Sequence, residues 1–212
     1  MKVLAINGSY RRNGNTSTLI NAALEGAKAV AAETEIIQIA DLKFTGCRGC
    51  YGCKLKGKPQ EYCVIKDDLQ DVIRKAMDCD ILIIGSPVYF GDVTGEVRNF
   101  INRFIYPYLS YSTGPAPFKK PVKTLMIYSG NIPVEMMEQG IYTKLMDDNK
   151  MWLEMYAGPS QYFMACETPM FDDLEKYDGD MYQISGVMER RYALLGENKE
   201  KVAEILKNMI SE

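Results

Sequence analysis
The strongest constraint on this chain is its opening stretch, Met1-Lys-Val-Leu-Ala-Ile-Asn-Gly-Ser-Tyr-Arg-Arg-Asn-Gly-Asn-Thr-Ser17. Val3 to Ile6 is an apolar run long enough for one buried strand. Asn7-Gly8-Ser9 breaks it, and the breakers continue to Asn13-Gly14-Asn15. Ile20, Leu24, Ala27 and Ala31 then recur at helical spacing, so Asn15 or Thr16 is expected to cap a helix. A strand, a glycine- and hydroxyl-rich loop and a helix in that order aim backbone N–H groups and a helix N-terminus at one point, where an anion is favoured. The loop is neither Gly-x-Gly-x-x-Gly nor a Gly-Lys-Ser/Thr phosphate loop. Ser9, Arg11, Asn15, Thr16 and Ser17 instead supply donors suited to a phosphate monoester, although an ordinary turn without a ligand has the same elements.

Apolar runs and helical patterns alternate along the rest of the chain, as in a doubly wound parallel sheet. Strands are predicted at Thr34–Ile39, Ile81–Ile84, Val122–Tyr128 and around Tyr162–Cys166. Helices are predicted at Asp67–Met77, around Val97–Phe104, at Val134–Tyr156 as one methionine-rich helix, and around Val202–Ile210. The fold class that follows is α/β, five parallel strands in the order 2-1-3-4-5 with helices on both faces and a ligand at the switch point. One domain over residues 1–212 accommodates this, with extra loops at about 106–120 and 167–196. The first reads as an excursion leaving the domain. The second carries Glu167, Asp172, Asp173, Glu175, Asp178 and Asp180.

Composition narrows the chemistry. The chain has no histidine, which removes histidine general-base catalysis and most catalytic zinc sites. A net charge of −3 argues against nucleic acid as a partner. Only four apolar residues follow Lys2 before Asn7, and no run approaches membrane-spanning length, so a cytoplasmic protein without a membrane partner is expected. Six cysteines in that setting point to reduced thiols or metal ligands.

The predicted third strand ends in Gly85-Ser86-Pro87-Val88-Tyr89-Phe90-Gly91-Asp92, which places two aromatic rings at the expected crevice. A flat, electron-poor heterocycle needs such a wall and backbone N–H groups at its polar edge. The first loop, Gly8-Ser9-Tyr10-Arg11-Arg12-Asn13-Gly14-Asn15-Thr16, resembles the Gly-Ser-x-Arg-x-x-Gly/Ser-x-Thr of the flavodoxin-like NAD(P)H-dependent FMN reductases. The Pro87–Gly91 loop is similar to the Ser-Pro-x-Tyr-Phe-Gly that holds the isoalloxazine in these reductases and in iron–sulfur flavoproteins. The resemblance spans roughly residues 1–165. It implies FMN, with its phosphate on Ser9, Arg11, Asn15, Thr16 and Ser17. Its ring is then expected on Pro87, Val88, Tyr89, Phe90 and Gly91, with a third, weaker loop at Ser129, Gly130 and Asn131.

Cys47, Cys50 and Cys53 are spaced three apart with glycines between them, and Cys63 follows. Such thiolates can fold round one small cluster, with the fourth cysteine completing the set. The segment resembles the compact motif that binds [4Fe–4S] in iron–sulfur flavoproteins, except that nine residues separate Cys53 from Cys63. Many flavodoxin-like reductases keep cysteines here without a cluster, so both readings stay open. The spacing is not that of a paired zinc knuckle. Cys79 and Cys166 read as small core residues. Between Asp41 and Lys66, Lys43, Arg48, Lys54, Lys56, Lys58 and Lys66 face only Asp41 and Glu61, either as a solvated loop or as a docking patch for an anionic donor.

The expected function is an FMN-binding oxidoreductase passing electrons from NAD(P)H to a flavin, quinone or similar acceptor. The alternative is a carrier with a [4Fe–4S] cluster on Cys47, Cys50, Cys53 and Cys63, fed by ferredoxin. No side chain is needed as acid or base for hydride transfer to a flavin, so no catalytic residue is named. A homodimer or homotetramer is expected, because the aromatic stretch Tyr106–Phe118 has no evident core to join.

Overall fold
The computed structural model describes residues 1–56, 62–140, 142–171, 176–177 and 186–211. In chain order the elements are β1 (Lys2–Asn7), α1 (Asn15–Lys28), β2 (Glu33–Gln38), α2 (Asp68–Asp78), β3 (Ile81–Pro87), α3 (Gly95–Ile105), β4 (Leu109–Ser110), β5 (Gly114–Pro115), β6 (Lys123–Ser129), α4 (Val134–Glu138), α5 (Thr143–Tyr156), β7 (Ser160–Ala165) and α6 (Val187–Ser211). The main sheet runs β2-β1-β3-β6-β7, all parallel, which is the expected 2-1-3-4-5 order with a short antiparallel β4–β5 hairpin inserted.

Alternation along the strands divides the core into two layers. Leu4, Ile6, Leu82, Ile84, Met126 and Tyr128 face one layer, with Val72, Phe100 and Leu153 from α2, α3 and α5. Val3, Ala5, Ile81, Ile83, Leu125 and Ile127 face the other, with Leu19 and Ile20 of α1 and Val202 and Leu206 of α6. Buried on both sides, β1, β3 and β6 read as continuous apolar runs. In register, Asn7 pairs with Gly85 and Pro87 with Ser129, so the loops after these three strands leave from one edge of the sheet.

Four expectations need correction. Gly14, not Asn15 or Thr16, holds the N-cap of α1, and no side chain caps it. The single helix at 134–156 is two, because Gly140, at φ 77°, turns the chain between α4 and α5. The loop expected to run to Gly196 ends earlier: α6 starts at Val187 and carries Gly196 inside it. A glycine inside a helix costs about 0.5–1 kcal/mol, which a long helix packed along α1 overrides. Asp172, Asp173, Glu175, Asp178 and Asp180 lie outside the described residues. The stretch 106–120 does not leave the domain. It folds into the hairpin, and Phe118, only 4% exposed, packs edge-on against Phe104 at 4.9 Å and on Tyr108 at 4.5 Å.

Candidate FMN cleft and cysteine pocket
The loops after β1, β3 and β6, joined by the segment after β7, enclose a cleft of about 360 Å³. The β1 loop is braced from within. Asn7 Nδ2 donates to Ser17 Oγ at 2.8 Å, Ser17 Oγ to the Arg11 carbonyl at 3.0 Å, and the Arg11 N–H to Ser9 Oγ at 3.1 Å. Gly8 donates its N–H to the Gly85 carbonyl at 2.8 Å, and a Cβ there would stand 2.2 Å from Val97 Cγ2. Only glycine lets β1 pass this close to α3. The first turn of α1 holds no acid, and its leading N–H groups have no partner within the helix.

Of the predicted phosphate ligands, Ser9, Arg11, Asn15 and Thr16 line the cleft. Ser17 does not, because its hydroxyl is committed to the loop. Arg11 Nη1 donates to the Met170 carbonyl at 3.0 Å and Asn15 Nδ2 to the Pro169 carbonyl at 2.6 Å, so both reach across the mouth. Of the ring residues, Pro87, Val88 and Tyr89 line the cleft. Phe90 and Gly91 form the tip of a turn closed by reciprocal Tyr89–Asp92 backbone bonds of 2.8 and 3.0 Å. Phe90 is fully exposed at φ 50°, a conformation that costs a non-glycine residue roughly 1–2 kcal/mol. The Phe90 and Gly91 N–H groups take no partner among the described residues, whereas those of Val88 and Tyr89 are used by Ser129 and Asp92.

Ser129 and Gly130 line the cleft as expected, and Asn131, Ile132, Thr168, Pro169 and Met170 complete it. Asn131 belongs to the third loop already expected from the sequence. The Thr168-Pro169 break directly after β7 was the available signal for the last wall, hidden inside a segment read as an acidic loop. That wall is held by the Glu167 N–H on the Ile132 carbonyl at 3.0 Å, the Thr168 N–H on the Gly130 carbonyl at 3.1 Å, and an Arg190–Glu167 ion pair.

Cys47, Cys50, Cys53 and Cys63 line one pocket at the far end of α3. Cys47 and Cys50 are exposed, Cys53 is half-buried and Cys63 is buried. Burial holds the Cys53 thiol above its usual range, with Cys63 and Cys47 adding to the rise and Lys54 opposing it. The space inside is about 10 Å³. Among the described residues, no three cysteine, aspartate or glutamate side chains can hold a single metal ion. Four thiols on one pocket are the kind of donor set that a four-thiolate cluster would take, with Cys63 on the buried wall. Lys54 is not a free docking cation: its ammonium donates to the carbonyls of Tyr106, Pro107 and Leu109 and lies 4.4 Å from the centre of the Tyr106 ring. Lys58 and Glu61 fall outside the described residues. Cys79 is buried, its thiol pushed up to about 12 by burial first, whereas Cys166 is only partly covered.

The family described as NADPH-dependent FMN reductase matches residues 1–167. The chain belongs to that family. It is 41% identical over 103 residues to an iron-sulfur flavoprotein of Methanocaldococcus jannaschii, covering 49% of this chain and 51% of that one. It is 31% identical over 108 residues to an FMN-dependent NADPH-azoreductase of Staphylococcus aureus, covering 51% of this chain and 54% of that one. This FMN reductase family chain thus spans about half the length of the curated relatives it matches. Its fold is that of an NAD(P)H:quinone oxidoreductase from Methanothermobacter marburgensis, with a TM-score of 0.74 at 13% identity over 99% of this chain and 98% of that one.

The FMN reductase family is one of NAD(P)H-dependent flavoprotein oxidoreductases, and the cleft has the donors its cofactor needs. An acid-free helix N-terminus and the hydroxyls of Ser9 and Thr16 suit a phosphate, and unpartnered N–H groups at 90–91 suit a polar ring edge. No helix among the described residues is long and apolar enough to cross a membrane.

Proposed function
We propose that the chain binds FMN in this cleft and transfers electrons from NAD(P)H to a small acceptor such as a flavin or quinone. The observation that carries the reading is the convergence of the loops after β1, β3 and β6 on one cleft. Bound FMN supplies the hydride and electron chemistry. The chain's part is to hold the phosphate at the start of α1, to fix the ring beside Tyr89, and to leave that aromatic wall at the surface where donor and acceptor can reach it.

A second reading, an iron–sulfur flavoprotein fed by an acidic ferredoxin, is favoured by the four cysteines lining one pocket. Bound there, a [4Fe–4S] cluster supplies one-electron transfer. The two sites lie at opposite ends of α3. Thr94 caps it against the Gly8 carbonyl beside the cleft, and Arg103 lines the cysteine pocket. At 1.5 Å per residue they are about 14 Å apart along the helix. In a homodimer or homotetramer the cysteine pocket of one chain can also face the flavin of another.

The deciding experiment is purification without oxygen and reconstitution with iron and sulfide. It is followed by anaerobic reduction with NADH, NADPH or reduced ferredoxin, watched by visible absorbance. One FMN per chain with trace iron, and NAD(P)H reduction unchanged in Cys50→Ser, leaves the reductase. Stoichiometric iron that Cys50→Ser abolishes selects the carrier. Absence of FMN removes both.

A further inference from the structure
Arg103 is a buried cation, 1% exposed, in the middle of the protein's second site. A guanidinium carries five N–H donors in a fixed plane. Nη1 donates to the Thr45 carbonyl at 2.8 Å and to Asp67 Oδ2 at 2.6 Å. Nη2 donates to the Ile65 carbonyl at 3.1 Å and to Asp67 Oδ1 at 2.8 Å. Thr45 and Ile65 flank the four cysteines, so one side chain clamps both ends of the loop that bears them. The fifth donor, Nε–H, is buried and has no partner. An unmet donor on a buried charged group is costly, and it calls for an acceptor.

The pocket that Arg103 lines contains one buried thiol, Cys63, whose own carbonyl is fixed by Gln70 Nε2 at 2.9 Å.

We propose that Arg103 is a positioning residue for the cluster: its Nε–H donates to Cys63 Sγ when Cys63 ligates as a thiolate. The inference rests on the cluster reading of the cysteine pocket and adds the residue that sets its electronic state. A cluster held by four thiolates is anionic and becomes more so on taking an electron. A buried N–H···S bond therefore favours the reduced state and raises the potential. Asp67 offsets the net charge of the guanidinium, so the effect acts through the local N–H dipole and not through a long-range field.

The test is potentiometric titration of the anaerobically reconstituted protein, followed by visible absorbance and electron paramagnetic resonance, with FMN as internal reference. Arg103→Lys should retain FMN and iron, shift the cluster midpoint to more negative potential and leave the flavin midpoint where it was. An unchanged cluster midpoint at full iron content overturns the proposal. If Arg103→Lys fails to fold or to take up iron, wild-type protein grown on arginine ¹⁵N-labelled in the guanidino group decides. The reduced cluster should show a ¹⁵N hyperfine coupling that survives in Arg48→Lys, and its absence refutes the bond. Wild-type protein that takes up no iron defeats the cluster reading itself, and this inference with it. That result is distinct from a complete cluster without coupling.

Discussion
Thr16 and Ser129 stand 113 residues apart in sequence, yet their hydroxyl oxygens are 2.7 Å apart and both side chains are buried. This bond ties the start of α1 to the end of β6 and joins the floor of the cleft below the phosphate and ring loops. Thr16→Val removes it together with a hydroxyl of the proposed phosphate site. Hydrogen bonds to charged groups are worth about 1.5–3 kcal/mol, so FMN should bind roughly 10- to 100-fold more weakly. Riboflavin, lacking the phosphate, should lose much less in the same fluorescence titration. Equal losses would place the phosphate elsewhere.

Phe90 stores backbone strain at the lip of the cleft. Phe90→Gly should relieve about 1 kcal/mol of it and raise the apoprotein's melting temperature by a few degrees. The same change leaves the cleft lining of Pro87, Val88 and Tyr89 in place, so FMN affinity should change little as stability rises. A melting temperature that drops would mean the ring is packed in solution.

The cleft's aromatic turn is anchored from the core. Asp92 Oδ1 accepts from Arg98 Nη2 at 2.6 Å, Arg98 Nη1 donates to Asn149 Oδ1 at 2.9 Å, and Asn149 Nδ2 donates to the buried Tyr128 hydroxyl at 3.0 Å. Burial pushes the Tyr128 phenol well above its usual pKa, so it stays neutral throughout the working range. Asn149→Ala leaves the buried Tyr128 hydroxyl without its donor and Arg98 with Asp92 alone. It should cost about 1–3 kcal/mol in urea unfolding and loosen FMN by way of the 89–92 turn.

Acid should weaken the clamp on the cysteine loop. Burial opposes ionisation of Asp67, but Arg103, the Thr45 and Leu69 N–H groups and the Arg103 charge together hold its pKa below the ordinary aspartate value. A carboxyl depressed in the folded state contributes stability that is fully present above its unfolded pKa of about 3.9 and is lost as pH falls through the folded value. Asp67→Asn should therefore be less stable than wild type at pH 7, with the gap narrowing below about pH 4. Urea midpoints at both pH values measure this, and a constant gap would rule it out.

Assembly is the remaining proposal. With Phe118 absorbed into the core, Tyr89, Phe90 and Tyr111 are among the exposed rings that a second chain could cover. Light scattering at micromolar concentration should give a dimer or tetramer, and Phe90→Ser with Tyr111→Ser should shift it toward monomer. A wild-type monomer would count against the interface.

The strands and the two ligand loops were legible because their signals are local. Val3–Ile6 and Ile81–Ile84 are short apolar runs of the kind a strand buried on both faces needs, and Gly8-Ser9 and Ser86-Pro87 mark where they end. Ser9, Thr16, Pro87, Tyr89 and Ser129 could be placed at one edge because a parallel sheet puts the carboxyl ends of its strands together. Local pattern failed where tertiary contact outweighed propensity. Gly196 reads as a breaker, yet it sits in a helix stabilised by packing on α1, and the 106–120 stretch looks solvated until Phe118 meets Phe104.

The sequence by itself determined the layer architecture, the anion-ready start of α1 and the grouping of four thiols, because periodicity, turn chemistry and spacing each act within a few residues. Only the tertiary structure decided that Ser17 serves the loop and not the cleft, that Thr168 to Met170 close the cleft wall, and that Arg103 reaches the cysteines from α3 with one donor unspent. Those outcomes depend on which distant backbone carbonyl or hydroxyl a side chain meets, and no spacing along the chain encodes that meeting.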